Sequence, residues 1–177
     1  GRLLISEPSL NDPTFFKSVV LLTHHTTDES IGLVLNYPTK INLNEILNDI
    51  PLSDFPVYIG GPVAKNSIHF IHTLGNIIPD TKKIIDGLYW GGDFDKILKL
   101  MSENKISKDE IRFFAGYSGW DAEQLNEEIK DNGWIINKSD KDICMQYSTP
   151  NLWSDLIKTK NPKHAIWANI PKDPSMN

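Results

Sequence analysis

Ser118 lies in the run Gly116-Tyr117-Ser118-Gly119-Trp120, directly after the apolar stretch Ile111 to Ala115 and before Asp121. A serine at a strand-to-helix turn invites comparison with the nucleophile elbow, Gly-x-Ser-x-Gly. That elbow needs small residues two before and two after the serine so that its strained turn can close. Here the position two after Ser118 is Trp120, and the second glycine comes one residue early. No histidine is marked as a general base by its context; His164 lies downstream in no recognisable motif. The segment therefore reads as a tight turn that starts a helix, with Ser118 a turn serine. A small-molecule hydrolase using Ser118 or a histidine cluster is the alternative reading of function.

The remaining chemistry-bearing residues are sparse. The histidines come as His24-His25 and His69-x-x-His72. On an extended strand, neighbours one or three apart point to opposite faces, so neither pair can share a metal ion by itself. One from each pair could converge, with Asp28, but hydrogen-bonded or solvated imidazoles are the expected state. Backbone amides at a helix start attract phosphate, yet Asp121 and Glu123 already place carboxylates there. Neither a Gly-x-x-x-x-Gly-Lys phosphate loop nor a Gly-x-Gly-x-x-Gly dinucleotide motif occurs. No catalytic residue, metal ligand or cofactor is assigned. Glu127 and Glu128 are expected on the wet face of a helix. Trp120 differs from the other tryptophans because it follows a glycine at an exposed-looking turn. It is a candidate anchor for a ligand or partner, with core packing as the competing role.

These side chains must be carried by a chain of 177 residues, an ordinary size for one domain. The expected domain spans residues 1–170, followed by a flexible tail, 171–177. The net charge of −5 speaks against a nucleic-acid surface, and Arg2 and Arg112 are the only arginines. A single cysteine, Cys144, excludes an intramolecular disulfide and fits a reducing cytoplasm. No run approaches the roughly 20 apolar residues of a membrane span. Glu7-Pro8 interrupts the apolar start, so no leader is expected.

Hydrophobic patterning sets out the elements. Leu3 to Ile5 and Ser18 to Thr23 read as strands, the second apolar on both faces. Ile31 to Leu35 follows after a hairpin connection over Thr26 to Ser30. Asn42 and Glu45 form a capping box for a short helix. Pro56 to Ile59 is a strand entering a Gly60-Gly61-Pro62 turn, and Ile68 to Leu74 and Ile84 to Trp90 are strand-like. Asp93 caps a helix with Phe94, Ile97, Leu98 and Met101 at helical spacing. Asp121 is expected to cap the next helix, with Gln124 closing the box and Gly133 at its C-terminal, left-handed position. Trp134 to Ile136 is a strand. A last helix begins at Thr149-Pro150 and buries Leu152, Trp153, Leu156 and Ile157. Consecutive strands early, then strands alternating with helices, define an α+β class.

In this order, several blocks resemble the bacterial YqgE/AlgH proteins. They are Asp12-Pro13-x-Phe15, Ser18 to Leu22 with His24, Gly32-Leu33-Val34-Leu35-Asn36-x-Pro38 and Gly60-Gly61-Pro62-Val63. Asp86-Gly87-Leu88-Tyr89 and Gly116 to Trp120 with Gln124-Leu125 complete the set. The resemblance implies a single compact domain whose bent, bifurcated, mostly antiparallel sheet forms a pseudo-barrel flanked by short helices. It also implies a cytoplasmic bacterial protein. The family's label of transcriptional regulator comes without a recognised DNA-binding motif, and the resemblance brings no catalytic residues. Three positions depart from the family pattern: Tyr37 and Lys17 stand where arginines are usual, and Glu123 where glycine is common. Tyr37 removes a planar bidentate fork from that loop.

Taken together, these observations favour a non-catalytic binding or regulatory protein over an enzyme or a direct DNA binder. Its expected partner is a small molecule or another protein, and its oligomeric state is left open. The candidate contact residues are His24, Asn36, Gly60, Gly61, Gly116, Tyr117, Gly119, Trp120 and Gln124.

Overall fold

A computed structural model of the chain describes residues 1–10, 12–47, 55–147 and 151–160. In chain order the elements are β1 (Arg2–Ser6), β2 (Val19–His25), β3 (Glu29–Val34), β4 (Pro38–Asn42), α1 (Leu43–Ile46), β5 (Pro56–Ile59) and β6 (Val63–His72). They continue with β7 (Lys82–Ile85), β8 (Leu88–Trp90), α2 (Phe94–Ser102), β9 (Ile111–Asp121), α3 (Gln124–Lys130), β10 (Trp134–Lys138), α4 (Lys141–Met145) and α5 (Leu152–Lys160).

The strands join into one sheet in the order β10-β1-β2-β3-β9-β6-β8-β7, with β4 and β5 branching from β9. Pairings along that path are antiparallel, whereas β5 runs parallel to β9. The expected α+β fold with a bifurcated, mostly antiparallel sheet and flanking helices is what forms. It stays open: the path ends on β10 and β7 rather than closing into a barrel.

Alternation along the first strands explains why they read as continuously apolar. Leu3, Ile5, Val19, Leu21, Leu33 and Leu35 enter one core cluster, which α5 covers with Trp153, Leu156 and Ile157. Leu4, Val20, Leu22 and Val34 point the other way, into a cluster with Phe15, Trp120, Leu125 and Trp134. Both faces of the sheet are therefore buried there. A third cluster, holding Phe70, Phe113 and the apolar stripe of α2, fills the branch around β5 and β6.

The split in the sheet occurs on β9. Its first half pairs with β5, Val57 opposite Phe113, and its second half with β3, Gly32 opposite Ser118. β6 occupies the other edge of β9 from Ile111 to Ala115 and again at Tyr117. Since β5 and β6 lie on opposite edges of β9, the Gly60-Gly61-Pro62 link must cross over its backbone. Only bare backbone fits at the crossing. A Cβ on Gly61 would lie 2.2 Å from the Tyr117 carbonyl carbon, and one on Gly60 would lie 2.2 Å from the Gly116 carbonyl oxygen. Gly116 itself has φ of +68°, a left-handed kink that lets β9 pass beneath.

Several local expectations change. Gly116 to Trp120 is continuous strand rather than a turn, because its glycines serve the crossing. The helix after it begins at Gln124 behind a left-handed Glu123, not at Asp121. Gln124 Oε1 still accepts from the Asp121 amide at 3.2 Å, as the expected box required. Asn132 rather than Gly133 takes the left-handed position after α3, at φ +57°, while the Gly133 amide donates to Glu128 O at 2.8 Å. Ile84 to Trp90 is a hairpin of two strands, turning at Asp86-Gly87. The short strand β4 and the helix α4, whose start the Asp140 carboxylate caps, are not among the expected elements. The start of the last helix at Thr149-Pro150, His164 and the expected tail lie outside the described residues.

Candidate functional site

Where β3 and the end of β9 meet β6, the sheet leaves a cleft of about 200 Å³. It is lined by Glu29, Ser30 and Ile31 on one side and by Val63, Tyr117, Gly119, Trp120 and Asp121 on the other. Register places Glu29 directly opposite Asp121 and Ser30 opposite Trp120. Two carboxylates facing each other across an antiparallel pair repel, a local cost that a bound cation or hydrogen-bond donor would relieve. His24 stands beside this wall, its Nε2 3.7 Å from Glu29 Oε1.

Tyr117 leads the cleft towards a line of rings. His69 meets Tyr117 edge-on at 5.3 Å and stacks on Trp90 at 6.4 Å, while Lys82 Nζ lies 5.3 Å from the centre of the Trp90 ring. His69 Nε2 is hydrogen-bonded to Ser67 Oγ at 3.0 Å, and burial holds its pKa below the ordinary imidazole value. His72, three residues on, is fully buried elsewhere. Its Nδ1 accepts from the Leu74 amide at 3.1 Å and its Nε2 lies 2.9 Å from Gly91 O. That pairing requires the neutral tautomer protonated on Nε2. Desolvation accordingly lowers its pKa, outweighing the bond to Gly91.

The other sequence candidates divide by what holds them. Trp120 lines the inner end of the cleft but is only 3% exposed. Its ring stacks on Phe15 at 5.8 Å, and its Nε1 donates to Glu128 Oε2 at 2.9 Å. The Trp134 indole donates to the same oxygen at 2.7 Å, and Gln124 Nε2 donates to Glu128 Oε1 at 2.9 Å. Glu128, expected on a wet face, is therefore the polar pin that fastens α3 to the tryptophans. Ser118 is fully buried and donates to Gly60 O at 3.1 Å, tying the crossing link to β9. Gly60, Gly61 and Gly116 form the crossing beneath the cleft. Asn36 lies apart, buried: its Oδ1 accepts from the Val19 amide and its Nδ2 donates to Lys17 O, both at 2.8 Å. Asn36 also borders an open hollow with Pro13, Phe16, Tyr37 and Pro38. There the Tyr37 hydroxyl donates to Phe16 O, and burial, with Asp12 adding to it, pushes its pKa up to about 12.

The structure thus brings Tyr117, Gly119 and Trp120 to the cleft with His24 beside it, sets Gln124 behind Asp121, whose amide it accepts from, and places Asn36 elsewhere. Sequence reasoning missed the facing wall, Glu29 and Ser30, because only strand register puts them opposite Asp121 and Trp120. Among the described residues, no group of three or more His, Cys, Asp or Glu side chains is arranged to hold a metal ion. Among the same residues, no helix is long and apolar enough to cross a membrane.

The open split sheet with its glycine crossing and flanking helices defines an α+β protein of one recurrent type. The AlgH-like family model matches residues 3–165, and the chain belongs to that family. A UPF0301 protein of Bacteroides fragilis is 42% identical over 178 residues, spanning 100% of this chain and 90% of that protein. A UPF0301 protein of Chlorobaculum parvum is 33% identical over 177 residues, covering 100% and 95%. Among solved structures, AlgH of Pseudomonas aeruginosa superposes with a TM-score of 0.75 at 25% identity, covering 96% of this chain and 93% of that one. Protein DIP2367 of Corynebacterium diphtheriae gives 0.74 at 20% identity over 96% and 91%, a likeness of fold.

Proposed function

We propose that this AlgH-like protein is a non-catalytic binding or regulatory protein of the cytoplasm, which contacts a small molecule or another protein through the β3–β9 cleft. The observation that carries this reading is the pair Glu29 and Asp121, set opposite each other at an open cleft beside Tyr117 and Gly119. Such a rim favours a cationic or donor-rich group and repels phosphate. Any regulatory role therefore runs through a small ligand or a protein partner rather than through direct contact with DNA, in keeping with the net charge of −5. Support also comes from the commitment of the would-be catalytic groups: Ser118 and His72 are buried in structural bonds. The single cysteine, buried and reduced, suits a reducing compartment.

Ligand-observed NMR with spermidine and a Lys-rich peptide tests the reading. Saturable binding is expected, lost in Gly119→Trp, which fills the cleft, and weakened in Glu29→Gln. Binding of both probes unchanged by both substitutions, or no binding at millimolar concentration, would overturn it.

A further inference from the structure

The second face of the sheet carries a groove of a different character. It has a volume of about 330 Å³ and lies between α3 and the strands β10, β1 and β2. Leu4 and Ile136, register partners on β1 and β10, line it together with Leu22 of β2. Leu125 and Ile129, one turn apart on α3, line it from the helix side. Ile136 is left 47% exposed and continues the apolar wall formed by Leu4, Leu22, Leu125 and Ile129. The polar lining consists of Arg2, His25 and Asn126, with no carboxylate.

Two features give the groove a sign. The Arg2 side chain has no hydrogen bond or ion pair among the described residues, and its register partner is Lys138, so two cations sit at that end. His25 is held by one bond, Nδ1 to Ser30 Oγ at 2.8 Å, which leaves Nε2 without a described partner. A guanidinium presents a planar fork that matches a carboxylate with two parallel bonds. Apolar walls with a few placed polar groups are the usual make-up of a small-ligand site of this size.

We propose that this groove is a binding site for a short amphiphilic anion, an apolar chain ending in a carboxylate. The chain lies against Leu4, Ile129 and Ile136, and the carboxylate pairs with Arg2. The site stands apart from the cleft between β3 and β9, and its ligand has the opposite charge.

Titration with sodium octanoate, followed by two-dimensional NMR on the full chain, tests the proposal. Saturable shifts are expected at Leu4, Leu125 and Ile136, with Gly119 unmoved. Octylamine should bind more weakly. Arg2→Gln should weaken octanoate about tenfold, the equivalent of one charge-assisted bond, while leaving the thermal midpoint unchanged. Ile136→Glu, which puts a carboxylate in the groove at an exposed position, should abolish octanoate binding. The proposal is overturned by equal affinity for octylamine and octanoate, or by an Arg2→Gln variant that binds octanoate as the parent does. It is overturned equally if the same residues shift with protein concentration alone, which would make the groove an interface between copies.

Discussion

The residue that departs most from its type is Arg112. It is fully buried on β9, and no carboxylate answers it among the described residues. Instead Nη1 donates to Cys144 O at 2.5 Å and Nη2 to Leu35 O at 2.8 Å, while the Nε hydrogen has no partner among the described residues. The guanidinium carbon lies 4.3 Å from the centre of the Tyr58 ring, with Phe114 and Tyr147 at 5.3 and 5.6 Å. Three aromatic faces and two carbonyls thus take the place of a counter-ion, and desolvation lowers the pKa of the group. The same side chain links β9, the end of β3 and α4, so it is a fastening. An ammonium cannot span both carbonyls from one stem while lying flat on the rings. Arg112→Lys should therefore cost about 3 kcal/mol, read as a lower urea midpoint with an unchanged denaturant slope. A variant as stable as the parent would show that the two carbonyl bonds contribute nothing. In the sequence Arg112 was visible only as one of two arginines; nothing in the run Ile-Arg-Phe-Phe-Ala distinguishes a buried cation from a solvated one.

At the scale of elements, the glycine crossing decides most. Replacing Gly61 by alanine puts a methyl group against the Tyr117 carbonyl and the Ser118 amide, backbone atoms that cannot swing aside. Gly61→Ala should destabilise the protein by about 3 kcal/mol, whereas Gly119→Ala, on the exposed face with its nearest neighbour a Tyr117 ring atom at 3.3 Å, should cost far less. Comparing the two unfolding midpoints checks the crossing directly; equal midpoints would remove it as an explanation of the glycines. The same feature marks the limit of sequence reading. Strands β2, β3 and the first half of β9 were legible because apolar, β-branched runs have few other uses. So was α2, whose Asp93 cap accepts from the Lys96 amide at 2.9 Å. Gly60-Gly61-Pro62 is the expected link between strands, but Gly116 to Trp120 is strand where a turn is expected, because a glycine signals either a turn or a close backbone approach, and only tertiary pairing tells which. The cleft was half legible for a related reason. Tyr117, Gly119 and Trp120 come from a distinctive run, but Glu29 and Ser30 become their neighbours through a pairing some ninety residues apart in the chain.

For the whole molecule, two imidazoles shape the response to pH. Burial keeps His72 and His69 neutral in the folded state, with pKa values below the ordinary value of about 6.5. The unfolded chain takes up protons near that ordinary value while the folded chain does not. Stability is therefore full above pH 6.5 and falls as the pH drops from there towards the folded pKa values. His72→Asn keeps an acceptor for the Leu74 amide and removes one titration. Plotted from pH 7 to 5, its unfolding free energy should decline less steeply than that of the parent, and parallel curves would refute the assignment. The order of synthesis adds a constraint of its own. β9 is the hub of the sheet, bonded to β3, β5 and β6, yet it is made after all three. Until residue 121 leaves the ribosome, each of those strands waits with one edge bare, and the link at Gly60-Gly61 arches over an empty slot. The centre of this sheet is therefore filled late, and the growing chain carries unpaired strand edges of the kind that other strands or chaperones cover.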